Sequence, residues 1–460
     1  MKFANIHHVH FVGIGGIGMS GIAEILLNQG FAVSGSDLTL SEVTQRLASL
    51  GATIHQGHAP ANVHGADVLV YSSAVSLDNP ELLEAAERKI PAIRRAEMLA
   101  EVMRLHHGIA VAGTHGKTTT TSMLGLILIN GGQDPTVIVG GKLHAFGGTN
   151  ARLGKGEFMV VEADEFDRSF LQLSPTIAIL TTLEEEHLDI YTNLDDLKEA
   201  FIEFASKVPF YGFIALCLDE PALQEILPSI PRKVITYGLS SQSDVQAVDL
   251  EHKMNRTAFT VLRGGVELGR IALGVPGEHN VRNALGAIVV SLELGIPFGQ
   301  IKDALDAFTG AFRRFEVKAD LGDVLVVDDY AHHPTEVKET LRGIKAGWRR
   351  RVVCVFQPHT YSRTRDFTRD FGRAFMNADV LLVTDVYPAR ELPIQGITGE
   401  LIADAAKAYG HKDVRYVEDK TAVPAVLMDV VRPGDLVITM GAGDIYRYGA
   451  MFIDAYTKAQ

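Results

Sequence analysis

Val111-Ala112-Gly113-Thr114-His115-Gly116-Lys117-Thr118-Thr119-Thr120-Thr121 decides how the rest of this 460-residue chain is read. The apolar run Gly108-Ile109-Ala110-Val111-Ala112 predicts a short buried strand before it, and Met123-Leu124-Gly125-Leu126-Ile127-Leu128 predicts a helix after it. A glycine turn at such a junction aims successive backbone N–H groups and the positive helix end at one anion. Lys117 adds a mobile charge and Thr118 a hydroxyl suited to magnesium. The chemistry is that of a nucleoside triphosphate, although Gly113 stands three residues before Gly116 where the general P-loop has five.

Outward from this stretch, the length suits two to four domains of roughly 100 to 200 residues. Strand-like and helix-like segments alternate throughout, and three α/β domains are expected: a Rossmann-like one over 1–106, a central P-loop ATPase-like one over 107–312 and a Rossmann-like one over 313–460. The net charge of -13 argues against general nucleic-acid or anionic-membrane binding, while local basic clusters still suit a small anion. Cys217 and Cys354 lie in apolar runs, as buried thiols of a reducing cytosol do, and no zinc cluster is expected. With no leader-like N-terminus and no apolar run long enough to span a bilayer, a soluble cytoplasmic protein is expected, as monomer or homodimer.

In the first domain, His10-Phe11-Val12-Gly13-Ile14-Gly15-Gly16-Ile17-Gly18 reads as a strand entering a G-x-G-x-x-G turn, with Asp37 about 20 residues on. Alone, this suits NAD; its physical content is an amide nest for a pyrophosphate, in NAD or in a nucleotide sugar. Val68-Leu69-Val70-Tyr71-Ser72-Ser73 ends a further strand in hydroxyls, where open parallel sheets bind ligands, and His58 and Arg95 sit at comparable boundaries.

The central domain continues with a glycine-rich connection, Gly140-Gly141-Lys142 to Gly147-Gly148-Thr149-Asn150-Ala151, read as a ligand loop or a turn. Phe158-Met159-Val160-Val161 runs into Glu162-Ala163-Asp164-Glu165, and Ile177-Ala178-Ile179-Leu180 leads to Glu184-Glu185-Glu186-His187-Leu188-Asp189. Two acid-tipped strands after a P-loop suit a metal-nucleotide site, with Glu162 the first choice of ligand. Asn280 and Asn283 stand one turn apart on a helix, suited to an adenine edge or to a cap and an exposed amide. The C-terminal part carries Arg313-Arg314-Phe315-Glu316, Asp328-Asp329-Tyr330-Ala331-His332-His333-Pro334 and Gln357-Pro358-His359-Thr360-Tyr361-Ser362-Arg363. Near the end comes a further amide nest, Gly441-Ala442-Gly443-Asp444.

The order of these motifs over essentially the whole chain resembles the Mur ligase family, in particular its alanine-adding members, whose shortened P-loop has the spacing seen here. The resemblance implies three α/β domains, for UDP-sugar, ATP and amino acid, and ATP-dependent joining of L-alanine to UDP-N-acetylmuramate in peptidoglycan synthesis. It implies that the Gly13, Gly15, Gly16, Ile17 and Gly18 turn holds a UDP diphosphate, with Asp37, His58, Ser72, Ser73, Arg95, Thr149 and Asn150 around the nucleotide sugar. ATP is expected on Gly113, Thr114, His115, Gly116, Lys117, Thr118 and Thr119, with Asn280, Asn283 and Arg314. Two magnesium ions are implied, on Thr118 and on Glu162 and His187. His332, His359 and Arg363 are expected around alanine, and Lys117, His187 and His332 are the catalytic candidates. Thr182 and Glu186 replace the common Asn and Asp, Thr360 a common Arg, and Phe166 a small polar residue. No lysine lies between Pro209 and Arg232, so the carbamylated lysine of sibling ligases is not expected. The competing readings are a ligase for recycled peptide on the same sugar, an NAD-dependent oxidoreductase and a non-enzymatic nucleotide-binding module.

Overall fold

The computed structural model describes residues 5–72, 74–143, 149–186, 190–389 and 391–459. Ser73 and His187 lie outside them, and for Ile17 and Thr149 only the backbone is described. Three sheets organise the chain. The first holds β1 (His8–Val12), β2 (Ala32–Asp37), β3 (Thr53–Gln56), β4 (Val68–Tyr71) and β5 (Ala92–Arg94), all parallel, in the order β3-β2-β1-β4-β5. β2 and β3 lie on one side of β1 and the chain then crosses to β4 on the other, so the crevice at the carboxyl end of β1 is the binding position of a doubly wound fold.

The second sheet contains β6 (His107–Ala112), β7 (Thr136–Leu143), β8 (Thr149–Arg152), β9 (Phe158–Ala163), β10 (Ile177–Leu180), β11 (Phe213–Cys217), β12 (Val234–Gly238), β13 (Val245–Lys253), β14 (Arg256–Arg263) and β15 (Val266–Leu273). Its order is β15-β14-β13-β12-β11-β10-β6-β9-β7-β8. β6 pairs in parallel with β10 on one side and β9 on the other, which sets both acid-tipped strands beside the P-loop strand. Ile109, Ala110, Val111 and Ala112 are buried, as the near-continuous apolar run of a doubly covered parallel strand requires. Helix Lys117–Asn130 is buried along most of its length, from Thr119 to Leu128.

The third sheet holds β16 (Glu316–Asp320), β17 (Leu325–Asp329), β18 (Val352–Phe356), β19 (Val380–Thr384), β20 (Val414–Val417) and β21 (Leu436–Met440), ordered β16-β17-β21-β18-β19-β20, with only β16 antiparallel. Alternate residues of β18 feed two cores: Cys354 and Phe356 pack with Phe371 and Phe375, and Val353 and Val355 with Leu427 and Phe452.

The chain condenses into two compact units, Met1–Val248 with Val261–Gly269 and Arg282–Leu305, and Asp249–Thr260 with Arg270–Val281 and Asp306–Gln460. The first two sheets, β13 to β15 apart, fall in the first unit and the third sheet in the second. Cys217 and Cys354 are buried free thiols. Among the described residues no helix is long and apolar enough to cross a membrane.

Candidate active site

The P-loop is braced by the strand beside it. The Thr114 N–H donates to the Thr182 carbonyl at 3.1 Å and the His115 N–H to Thr182 Oγ1 at 2.7 Å, while Thr181 Oγ1 donates to the His115 carbonyl at 2.5 Å. Thr182 thus has a structural task of its own: its hydroxyl takes an amide proton of the loop. Gly113 has φ +145, and a Cβ there would lie 2.0 Å from Thr181 Oγ1 and 2.9 Å from Thr182 N. Gly116 has φ +82, with Asn283 Oδ1 2.3 Å from the position a Cβ would take. Asn283 therefore packs on the loop that the sequence assigns to the nucleotide, and only glycine leaves room for it. We expect Gly113→Ala to cost about 3 kcal/mol in urea unfolding and to abolish the thermal shift produced by ATP, since strain and clash coincide.

Lys117 Nζ reaches the carbonyls of Gly113 (2.6 Å) and Thr114 (3.3 Å) and both oxygens of Glu165 (2.9 and 2.7 Å). Burial works against its charge, but Glu165, Asp164 and Glu186 outweigh burial and hold the ammonium well above its usual range. The Glu165 side chain is 1 % exposed and its carbonyl accepts the Tyr191 hydroxyl at 2.7 Å, so the lysine is pre-aimed by a fixed partner. Glu162 ends β9 with its Oε2 2.6 Å from the position a Gly140 Cβ would take, so that glycine clears space for the carboxylate. His115 Nε2 lies 3.8 Å from Glu184 Oε2. Asn280 and Asn283 are both 7 % exposed, which overturns the alternative of an exposed amide; Asn280 Nδ2 donates to the Pro276 carbonyl at 2.7 Å.

In the first sheet, Asp37 turns back on the glycine loop: its Oδ2 accepts the Gly15 N–H at 2.9 Å. Gly13 and Ile14 donate to the Ser36 carbonyl at 2.8 and 3.0 Å, so the carboxyl end of β2 shapes the turn. Arg95 crosses Gly18, its Nη1 2.9 Å from a Cβ position there, and with Arg94, Arg168 and Lys207 it lines a cavity of about 410 Å³. Asn150 Nδ2 lies 3.2 Å from the Cβ position of Gly21, one turn further along helix Ile17–Asn28. Ser72 sits past β4, its Oγ accepting the Ala74 N–H at 3.4 Å.

His58 is held from beneath. Its Nδ1 meets Ser36 Oγ at 2.9 Å and Glu81 Oε2 at 3.4 Å; Glu81, fully buried, also accepts from Ser36 Oγ (2.6 Å) and Asn62 Nδ2 (2.6 Å). Burial raises the Glu81 carboxyl, yet hydrogen bonds from His10, Ser36 and Asn62 win and bring it down to about 2. A carboxyl depressed from 4.5 contributes stability that is complete above pH 4.5 and disappears as pH falls toward 2. Urea unfolding between pH 5 and pH 2 should show that loss in the native chain, with a shallower slope in Glu81→Gln.

In the third sheet, two adjacent arginines divide their work. Arg313 is buried, donating to Asp328 Oδ2 (2.7 Å) and to the carbonyls of Gly443 (3.0 Å) and Gly441 (2.6 Å), between the rings of Tyr330 and Tyr446. Arg314 is less enclosed, with Nη1 3.1 Å from Glu336 Oε1. Of the amide nest expected at Gly441 to Asp444, one N–H is taken inside the fold, as is that of the residue just past it. Gly441 N–H donates to the Asp329 carbonyl at 3.1 Å and Ile445 N–H to Gln357 Oε1 at 3.1 Å. Burial drives the Asp329 carboxyl up to about 6 against the pull of Arg314 and two backbone N–H groups. His332 packs edge-on to His359, which stacks on Tyr387. Burial first, then His332 and Arg363, lower His359 to about 3, so it presents a neutral ring. Thr360, with φ +65, caps helix Tyr361–Asp366 by accepting the Arg363 N–H at 3.4 Å.

Models of the Mur ligase family match this chain in three consecutive stretches: the catalytic domain over residues 8–107, the middle domain over 111–291 and the glutamate ligase domain over 313–443. The chain belongs to the Mur ligase family. A UDP-N-acetylmuramate–L-alanine ligase of Geotalea uraniireducens (strain Rf4) is 54 % identical over 452 residues, covering 98 % of each chain. That of Geobacter sulfurreducens is 51 % identical over 460 residues, covering 100 % of this chain and 99 % of its own. Among solved structures, the UDP-N-acetylmuramate–alanine ligase of Thermotoga maritima superposes with a TM-score of 0.82 at 29 % identity, covering 98 % of this chain and 100 % of its own. A murein peptide ligase of Psychrobacter arcticus reaches 0.70 at 26 %, covering 98 % of both. The fold is the three-domain α/β fold expected of a Mur ligase. Sequence reasoning named Glu165 only as part of an acid-tipped strand and missed Glu81 and Glu336; the signal of all three is their approach to Lys117, His58 and His332 in space.

Proposed function

We propose that this Mur ligase joins L-alanine to the lactoyl carboxylate of UDP-N-acetylmuramate with conversion of ATP to ADP and phosphate, in the cytoplasm, as a step of peptidoglycan precursor synthesis. The observation that carries this is full-length identity of 54 % to a ligase of that name. We assign residues 1–106 to the UDP-sugar, 107–312 to ATP and 313–460 to the amino acid.

A carboxylate does not acylate an amine unaided, because its leaving group would be oxide. Its oxygen attacks the γ-phosphorus of ATP, the bond to ADP breaks, and an acyl phosphate forms. Lys117, held ready by Glu165, neutralises charge on the transferring group, and the N–H groups of the loop from Gly113 to Thr119 orient the phosphates. Asn280, Asn283 and Arg314 are assigned to ATP. The alanine nitrogen then attacks the acyl carbon, phosphate departs, and the amine proton goes to His332. His359 and Arg363 are assigned to the amino acid.

The hard oxygen donors Thr118 and Glu162, the latter cleared by Gly140, suit magnesium, and His187 is assigned beside Glu162. When bound, the ion supplies positive charge to the phosphate oxygens. The glycine turn with Asp37, His58, Ser72, Ser73, Arg95, Thr149 and Asn150 is assigned to the UDP-sugar. The test is phosphate release from ATP with each substrate omitted in turn. Release should require UDP-N-acetylmuramate and L-alanine together; release with a murein tripeptide but not alanine would reassign the chain to peptide recycling.

A further inference from the structure

Glu336 belongs to helix Pro334–Gly347, where it completes a capping box with His333. Its side chain is 10 % exposed and both its oxygens are engaged. Oε1 accepts from Arg314 Nη1 at 3.1 Å, and Oε2 accepts the N–H of His332 at 3.0 Å and of His333 at 3.3 Å. The same Oε2 lies 3.1 Å from His332 Nδ1. That nitrogen also faces the Tyr330 carbonyl at 3.1 Å. A carboxylate and a carbonyl only accept, so Nδ1 must carry the ring proton, and a neutral ring then has its lone pair on Nε2. Nε2 makes no hydrogen bond among the described residues. Tyr330 touches both ends of the assembly: its ring stands edge-on to His332 with centroids 5.3 Å apart and lies 5.2 Å from the Arg314 guanidinium carbon.

We propose that Glu336 is a positioning residue that couples the nucleotide side of the site to the amine side, one oxygen orienting Arg314 and the other fixing His332 as an Nδ1–H base. The inference rests on the assignment of Arg314 to ATP and His332 to the amine. As the alanine nitrogen bonds to the acyl carbon, its proton passes to His332 Nε2, the bond from carbon to phosphate oxygen breaks, and phosphate carries off the electron pair. Glu336 holds the resulting imidazolium until its proton passes to solvent. Because one carboxylate serves both groups, an arginine drawn toward the nucleotide changes the charge felt by the histidine, and the two substrates sense each other.

The test is Glu336→Gln in the full chain, since glutamine retains the capping box and the helix. In protein labelled with ¹⁵N-histidine, His332 should show the Nδ1–H tautomer, which the Tyr330 carbonyl keeps in the variant too, while its Nδ1 resonance should move in the variant as the charged neighbour is lost. Loss of an orienting carboxylate should lower kcat/KM for alanine by about tenfold and raise the KM for ATP severalfold, leaving UDP-N-acetylmuramate binding unchanged. Adding His332→Asn to Glu336→Gln should cost little more than His332→Asn alone. An unmoved Nδ1 resonance, or fully additive losses, would overturn the coupling. If Glu336→Gln folds poorly, Glu336→Asp, which keeps the charge but shortens the reach, serves the same measurements. Impaired single variants at Arg314 and His332 beside an unimpaired Glu336→Gln would refute the role of Glu336 alone. Unimpaired variants at Arg314 and His332 would instead remove the site assignment beneath it, and the coupling with it.

Discussion

Lys117→Ala should lower ADP and phosphate formation by about a thousandfold or more, while the dissociation constant for UDP-N-acetylmuramate stays within twofold. The first part follows from the loss of the one side-chain charge that the P-loop aims at a triphosphate. The second follows because the nucleotide-sugar elements, the turn from Gly13 to Gly18 with Asp37, belong to a different sheet. The variant also strips a buried Glu165 of its ammonium partner, and removing one member of a buried pair costs about 3–5 kcal/mol. Lys117→Met combined with Glu165→Gln separates the effects: stability measured in urea should recover most of that loss, and turnover should not.

Arg313→Ala should be the most destabilising single change in the C-terminal unit, at about 3–5 kcal/mol by urea denaturation. It leaves Asp328 buried with Thr439 Oγ1 (2.6 Å) as its remaining side-chain donor, and it orphans the carbonyls of Gly441 and Gly443. Burial already pushes the Asp328 carboxyl upward, so losing the arginine favours its protonation. Arg314→Ala, one residue on, should change stability far less and raise the KM for ATP by about tenfold, the scale of a lost charge-assisted hydrogen bond. Equal destabilisation by both would contradict this division of labour.

The contrast between these neighbours shows what the sequence could carry. β6, the P-loop and helix Lys117–Asn130 were legible because an apolar run, a glycine turn and a helical repeat are consecutive signals. So were the strands β9 and β10 and the three-domain architecture. The placement of those acid-tipped strands on either side of β6 was not legible, because strand order depends on crossovers that no local pattern records. Arg313 and Arg314 are identical in type, and only the strand ends around Asp328 and Gly441 make one a strut. Glu165 lies 48 residues from the lysine it holds, and Glu81 23 residues from His58. At Gly441 to Asp444, read as an anion nest, Asp329 takes the Gly441 N–H and Gln357 the N–H of Ile445 just beyond it, partners that no local pattern records. Thr360 departs from the family's common arginine, and its task as a helix cap at positive φ is visible only in the backbone.

The central claim is that triphosphate energy reaches the amide through the sugar's own carboxylate. UDP-N-acetylmuramate labelled with ¹⁸O in both carboxylate oxygens, turned over with ATP and L-alanine, tests it by mass spectrometry of the released phosphate. Each phosphate should carry one ¹⁸O atom, with the other retained in the new amide carbonyl; unlabelled phosphate alongside complete product formation would contradict it.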